Sequence, residues 1–237
     1  QYYYYTSAAT EAMTDRTLAF LPEGLKVTAT YADGSTQIID NTKLSFSAIV
    51  AKAGTQTVTI TADEITATVE VKVAESVVAA VSNSAGIIGA EDNSTGWWTV
   101  FSDNFNVPAG ETRSISFTNY TSQANNWSNF AIVLRKADLA EYAVVRADNY
   151  GWGAGYDENA SLVHNGTQGD WAAWLADMNG AKVTVYVTNC GNGTADIQAV
   201  MKGTSGTSYA QYYLGINKLD MNDLNFALTI EGGHLVF

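Results

Sequence analysis

The stretch Gly54–Val73, GTQTVTITADEITATVEVKV, decides the fold class. Val58 and Ile60 alternate with Thr57, Thr59 and Thr61, and the alternation resumes from Ile65 to Val73. A period of two sends one set of side chains to a buried face and the other to water, the signature of half-buried strands. Asp63-Glu64 between the runs is a turn signal, so the two strands fold back on each other. Upstream, Lys26–Asp40 (KVTATYADGSTQIID) repeats the design. Val27, Ala29 and Tyr31 alternate with Lys26, Thr28 and Thr30, and Ala32-Asp33-Gly34-Ser35 supplies another hairpin turn. Short strands at this spacing predict a small sandwich. Ahead of them, Tyr2–Tyr5 reads as a first strand able to bury either face.

Composition agrees. The 237 residues have room for one large β domain or two smaller ones. Hydrophobic residues make up 46% of the chain, enough to bury a core and to argue against disorder. The formal charge is −12, and the 12 lysines and arginines form no basic run, so a phosphate backbone is repelled. Neutral or cationic ligands suit the surface better, as does calcium, which prefers carboxylate and carbonyl oxygens. Cys190 is the sole cysteine, which rules out an intrachain disulfide and a thiolate zinc cage. No run of eighteen apolar residues predicts a membrane-spanning helix. The start, QYYYYTSAAT, lacks the layout of a signal peptide, and the chain reads as a mature protein or a piece of a longer one.

Around Ala74–Ser84 (AESVVAAVSNS) the sequence turns small and bland, which predicts a short tether between one unit at 1–76 and another at 77–237. All six tryptophans lie between Trp97 and Trp174. The second unit reads as strands, among them WWTVFSDNFNV (Trp97–Val107), NFAIVLRK (Asn129–Lys136), EYAVVRAD (Glu141–Asp148) and KVTVYVTN (Lys182–Asn189). One short helix is expected in DWAAWLADMNG, with Asp170 as N-cap, Gly180 as C-cap, and Trp171 and Trp174 together on the buried face. Eight or nine strands predict a jelly-roll β-sandwich, so the whole chain is expected to be all-β.

The candidate site comes from strand parity. If Phe130, Ile132 and Leu134 face the core, Trp127, Asn129, Ala131 and Val133 face outward. If Ala143, Val145 and Ala147 face the core, Tyr142, Val144, Arg146 and Asp148 face outward. Neighbouring strands then join Trp127, Asn129, Arg146 and Asp148 on one face. The stretch Arg146–Asp157, RADNYGWGAGYD, extends it with Tyr150 and Trp152 on a glycine-rich turn. Adjacent Trp97 and Trp98 must point to opposite faces of a strand, so one is core and the other available; parity does not say which, and Trp98 is taken as the candidate. Flat rings beside an amide, a guanidinium and a carboxylate suit a neutral sugar, whose axial C–H face stacks on a ring while its hydroxyls need directed partners. The competing expectations are that Trp127 is core, that Arg146 pairs structurally with an acid, and that the glycine-rich stretch packs its rings under its own loop.

Catalytic signals are thin. His164 and His234 have no metal-like spacing, and no nucleophile-elbow, zincin, P-loop or dinucleotide motif occurs. Asp103, Asp148, Asp157, Glu158 and Asp170 are carboxylates of the kind glycosidases use, but any acidic chain offers such residues. Loops at Gly89–Gly96 (Glu91, Asp92, Asn93) and Leu219–Asn225 (Asp220, Asn222, Asp223) leave room for a structural calcium ion, with solvated turns the plainer reading. No other cofactor is expected.

KVTATYADGSTQ followed by KAGTQTVTITADEITATVEVKV resembles the bacterial Ig-like domains, over about Gly24–Val73. That resemblance implies an Ig-like sandwich used as a spacer or adhesion module. GWWTVFSDNFNVPAGETRSISFTNY, NNWSNFAIVL, EYAVVRADNYGWG and the closing GGHLVF resemble modules appended to polysaccharide-degrading enzymes and surface glycan-binding proteins of Bacteroidetes-type bacteria. This second resemblance, over about Ala85–Phe237, implies a secreted or cell-surface, non-catalytic carbohydrate-binding module, free-standing or linked to a catalytic domain. It also implies a polysaccharide partner, with no nucleic acid and no membrane insertion; a plant β-glucan or xylan is expected. Jelly-roll laminarinases carry an E-x-D-x-E strand that this chain lacks. A glycoside hydrolase or lyase and a protein-binding adhesin or structural module remain the alternatives.

Overall fold

The computed structural model describes residues 2–8, 17–18, 20–156, 162–165 and 170–237. The N-terminal strands are β1 (Tyr2–Tyr5), β2 (Thr17–Leu18), β3 (Val27–Thr30), β4 (Thr36–Ile39), β5 (Ser45–Phe46), β6 (Ile49–Val50), β7 (Gly54–Ala62) and β8 (Ile65–Glu75). β7 and β8 form the long hairpin that the threonine alternation predicts, from Gly54 opposite Val73 to Ala62 opposite Ile65. Asp63 turns it in the left-handed region, at φ 51°. β3 and β4 pair across Asp33, whose Oδ1 accepts from the Ser35 amide at 2.9 Å. The main sheet runs β1-β8-β7-β5, with β1 parallel to β8. The four tyrosines do make a first strand, and Tyr3 is fully buried with Leu18, Phe20, Ile49, Val58, Val71 and Val73.

Much of the predicted tether is strand, as far as Ala80. β8 runs to Glu75, and after Ser76 the chain enters β9 (Val77–Ala80), parallel to a strand of the second unit. The hydroxyls of Ser76, Thr112 and Thr188 form a buried chain at 2.6 and 2.7 Å. The Tyr4 amide donates to the Cys190 carbonyl at 3.1 Å, and the Tyr4 ring lies over Gly110 and Gly191. Side chains at those glycines would stand 2.9 Å from the ring, so their absence creates the seat.

The second unit continues with β10 (Ile87–Gly89), β11 (Phe105–Asn106), β12 (Glu111–Thr121), β13 (Phe130–Arg135), β14 (Glu141–Arg146), β15 (Gly151–Gly153), β16 (Leu162–Asn165), β17 (Ala181–Asn189), β18 (Ala195–Lys202), β19 (Ser208–Ile216), β20 (Asn225–Ile230) and β21 (Gly233–Val236). One sheet runs β10-β21-β12-β17-β18-β19-β16, with β9 also on β12; the other runs β11-β20-β13-β14-β15. The chain crosses between sheets from β11 to β12 to β13 and again from β19 to β20 to β21. Phe130, Ile132 and Leu134 of β13 and Ala143, Val145 and the following Ala147 meet the other sheet in one core, as parity predicts. The protein is all-β, a small unit followed by a larger β-sandwich.

The helix α1 (Trp171–Met178) forms where expected. Asp170 caps it by accepting from the Ala173 amide at 3.1 Å. The C-cap is Asn179, one residue before Gly180, which follows at φ +102°. Trp174 is buried in the core, whereas Trp171 stays at the surface, edge-on to Trp174 at 5.5 Å. Asp177, on the inner side of α1, pins the β18–β19 turn by accepting from the Ser205 amide, Ser205 Oγ, Thr204 Oγ1 and Tyr209 Oη. Burial pushes its carboxyl up, but those donors outweigh burial and hold it below the usual carboxylate range.

Candidate functional site

The outer face of the second sheet is apolar in its middle. Val133 of β13 pairs with Val144 of β14, and Val144 pairs with Trp152 of the edge strand β15. Val133 and Val144 would meet water if nothing lay over them. The segment Trp97–Phe101 covers them, with Trp97 and Phe101 packed against Ala131, Val133 and Val144. This segment is a turn and not the predicted strand, so strand parity does not orient Trp97 and Trp98. Trp97 goes down because the turn lays it on the sheet. Trp98 goes out, 38% exposed, with φ at +62°. A bulky residue in the left-handed region costs about 1–3 kcal/mol, and such strain persists where surrounding contacts impose it.

Those contacts form a continuous ribbon. The Arg135 guanidinium lies 3.8 Å from the Phe101 ring centre. Phe101 stacks on Trp98 at 5.8 Å and 11°. Trp98 meets Trp152 at 6.1 Å and 64°, and Trp152 meets Tyr150 at 6.2 Å and 50°. Arg146 covers one face of Tyr150 at 4.6 Å. Asp148 grips Arg146 through two bonds, Nε to Oδ1 at 2.8 Å and Nη2 to Oδ2 at 2.7 Å. The fork fixes the guanidinium plane, and the plane fixes Tyr150. Desolvation lowers the Arg135 pKa, which Glu141 partly offsets; an arginine stays charged under ordinary conditions regardless.

The glycine-rich stretch explains which rings stay out. Asn149 turns the β14–β15 hairpin at φ 64°, and Tyr213 Oη donates to its Oδ1 at 2.9 Å. A side chain at Gly151 would collide with the Tyr156 ring, and one at Gly153 with the Tyr142 carbonyl. The strand therefore lies flush on its neighbours. Tyr156 tucks inward against Tyr213 at 5.6 Å, while Tyr150 (45% exposed) and Trp152 (39% exposed) remain at the surface.

Of the predicted residues, the fold brings together Trp98, Tyr150, Trp152, Arg146 and Asp148. Two stand elsewhere. Trp127 is exposed on the β12–β13 loop and touches no other ring among the described residues. Asn129, expected to face outward, is 1% exposed; its Oδ1 accepts from Asn119 Nδ2 at 2.8 Å and from the Phe130 amide at 3.1 Å. Residues 126–129 turn before β13 begins, so strand parity cannot be carried back to them. Tyr142 is a further correction. A register shift between Leu134 and Arg135 rotates the start of β14, and Tyr142 packs on the core. Arg135 and Phe101 were missed, although counting on from Leu134 would have turned Arg135 outward.

Several of the other candidates are in structural use. Asp103 accepts from the Ser84 amide and hydroxyl at 2.6 and 2.8 Å. Asp92 and Asp220 accept from Ser94 and Asn222, two residues on, and so close their own turns. His234 stacks on Tyr120 at 4.7 Å. Asp157 and Glu158 lie outside the described residues, as does the His164 side chain. Among the described residues, no three His, Cys, Asp or Glu side chains cluster as metal ligands.

Comparison with known proteins bears on the first unit. Residues 19–73 match the family model of the bacterial Ig-like domain (group 3). This covers β3 to β8 except the last two residues of β8, and it ends at Val73, where the sequence reading ended it. β1, which completes the main sheet of the Ig-like domain, lies before the matched residues. No curated protein and no solved structure matches the chain. Among the described residues, no helix is long and apolar enough to cross a membrane.

Proposed function

We propose that the second unit is a non-catalytic carbohydrate-binding module of jelly-roll type, and that its ribbon of rings docks a polysaccharide such as a plant β-glucan or xylan. One observation carries the reading: Trp98, Trp152 and Tyr150 are exposed, touch one another in series, and are backed by Phe101 behind Trp98 and Arg146 behind Tyr150. An indole left half in water forgoes burial that its own sandwich could supply, so a ligand is the natural partner for the remainder. Sugar C–H faces stack on the rings, and the Arg146 N–H groups outside the Asp148 fork can donate to hydroxyls. Each ring contributes about 1–1.5 kcal/mol, so the three rings supply about 3–4.5 kcal/mol, which by itself corresponds to binding in the millimolar range.

In this reading the Ig-like domain spaces the module from its attachment. Such domains occur in extracellular bacterial proteins, which supports a secreted or cell-surface setting. The acidic surface fits a neutral glycan and disfavours nucleic acid. Affinity electrophoresis against a panel of plant polysaccharides tests the proposal. Retardation that Trp152→Ala removes supports it, and a blank panel with retained binding to a protein partner points to an adhesin.

A further inference from the structure

We infer that the glycan taken by this face is a single chain that turns about its own axis, and not the flat face of a crystalline polysaccharide; the inference rests on the carbohydrate-binding reading above. The angles between the rings carry it. The planes of Trp98 and Trp152 differ by 64° and those of Trp152 and Tyr150 by 50°. A crystal face is planar across many sugars, so it can lie flat on one of these rings and must miss its neighbours. A chain whose successive sugars rotate can offer an axial C–H face to each ring in turn.

The orientations belong to the protein and are not left for the ligand to set. Phe101 lies nearly parallel against one face of Trp98, at 11°, and is itself covered by Arg135. Arg146 covers one face of Tyr150, and Asp148 holds Arg146 by two bonds. Trp98 and Tyr150 are thus backed on one side, and flattening the row would break the ring and cation contacts behind them. Rings fixed before binding cost less ordering on association, which favours a ligand that already matches their twist.

The experiment has two arms on the intact chain. Affinity electrophoresis uses gels containing soluble arabinoxylan or mixed-linkage β-glucan, and a depletion assay uses suspended microcrystalline cellulose. We expect retardation in at least one soluble-glycan gel, a loss of affinity of about tenfold in Trp152→Ala, and a supernatant over cellulose that keeps its protein. Trp171→Ala, an exposed tryptophan away from the face, should be retarded like the parent. Depletion onto cellulose that Trp152→Ala abolishes would overturn the inference while sustaining carbohydrate binding. Absence of both retardation and depletion across the panel removes the binding reading and the inference with it.

Discussion

Trp98 and Trp152 meet edge to face at 6.1 Å, one on a turn laid over the sheet and the other on its edge strand. Both remain more than a third exposed even with the contact made. The contact sets the angle between the two ring planes, 64°. The two residues should therefore be separable from stability in a way that buried tryptophans are not.

Trp98→Asn is the sharpest version of that test. Asparagine tolerates the left-handed backbone that Trp98 occupies at φ +62°, so strain relief offsets the lost stacking on Phe101. Thermal unfolding should shift by less than about 1 kcal/mol equivalent, while glycan affinity falls about tenfold or more. Trp97→Ala should do the reverse in stability, costing about 2–3 kcal/mol, because Trp97 covers Ala131, Val133 and Val144.

Trp127 lies apart from the ribbon. Trp127→Ala should leave affinity within about twofold of the parent, against about tenfold for Trp152→Ala. Isothermal titration with the oligosaccharide that binds best would read both, and equal losses would place a second ring site on the β12–β13 loop.

Gly153 should not tolerate alanine. Its φ is +108°, and a Cβ would collide with the Tyr142 carbonyl and stand 2.6 Å from the Ala143 Cα. Backbone atoms cannot yield as a side-chain tip can. Gly153→Ala should cost about 2–3 kcal/mol in denaturant unfolding and, by lifting β15 off β14, weaken glycan binding as well.

Asp177 and Tyr209 set opposite limbs of the stability–pH profile. The Asp177 carboxyl is held below its ordinary value, so its contribution is full above the unfolded carboxylate range near pH 4 and is lost as pH falls through the lower folded value. The Tyr209 phenol is pushed up to about 12 by burial and by Asp177, so its contribution is full below pH 10 and is lost as pH rises towards 12. Chemical denaturation across pH should flatten on the alkaline side in Tyr209→Phe and on the acid side in Asp177→Asn, with Asp177→Asn less stable at neutral pH.

Tyr4 should couple the two units. Its ring is seated on Gly110 and Gly191, and its amide donates to Cys190. Calorimetry of the intact chain should give one transition, and Tyr4→Ala should split it, with the Ig-like domain unfolding first because its core is the smaller.

The sequence by itself determined the β class, the hairpins at Asp33 and Asp63, the Asp170 helix cap and the inward sets of β13 and β14. Each depends on a period or a turn residue that acts within a few positions. The ribbon is legible only in part. Tyr150, Trp152, Arg146 and Asp148 are near neighbours in sequence, and their grouping follows from one hairpin. Tertiary structure alone decided that Trp97–Phe101 would close over Val133 and Val144, that Trp98 would point out from a left-handed turn, and that Asn129 would turn inward before β13 begins. Parity orients side chains only while the chain stays extended, and at turns their direction is set by whatever apolar surface the loop must cover.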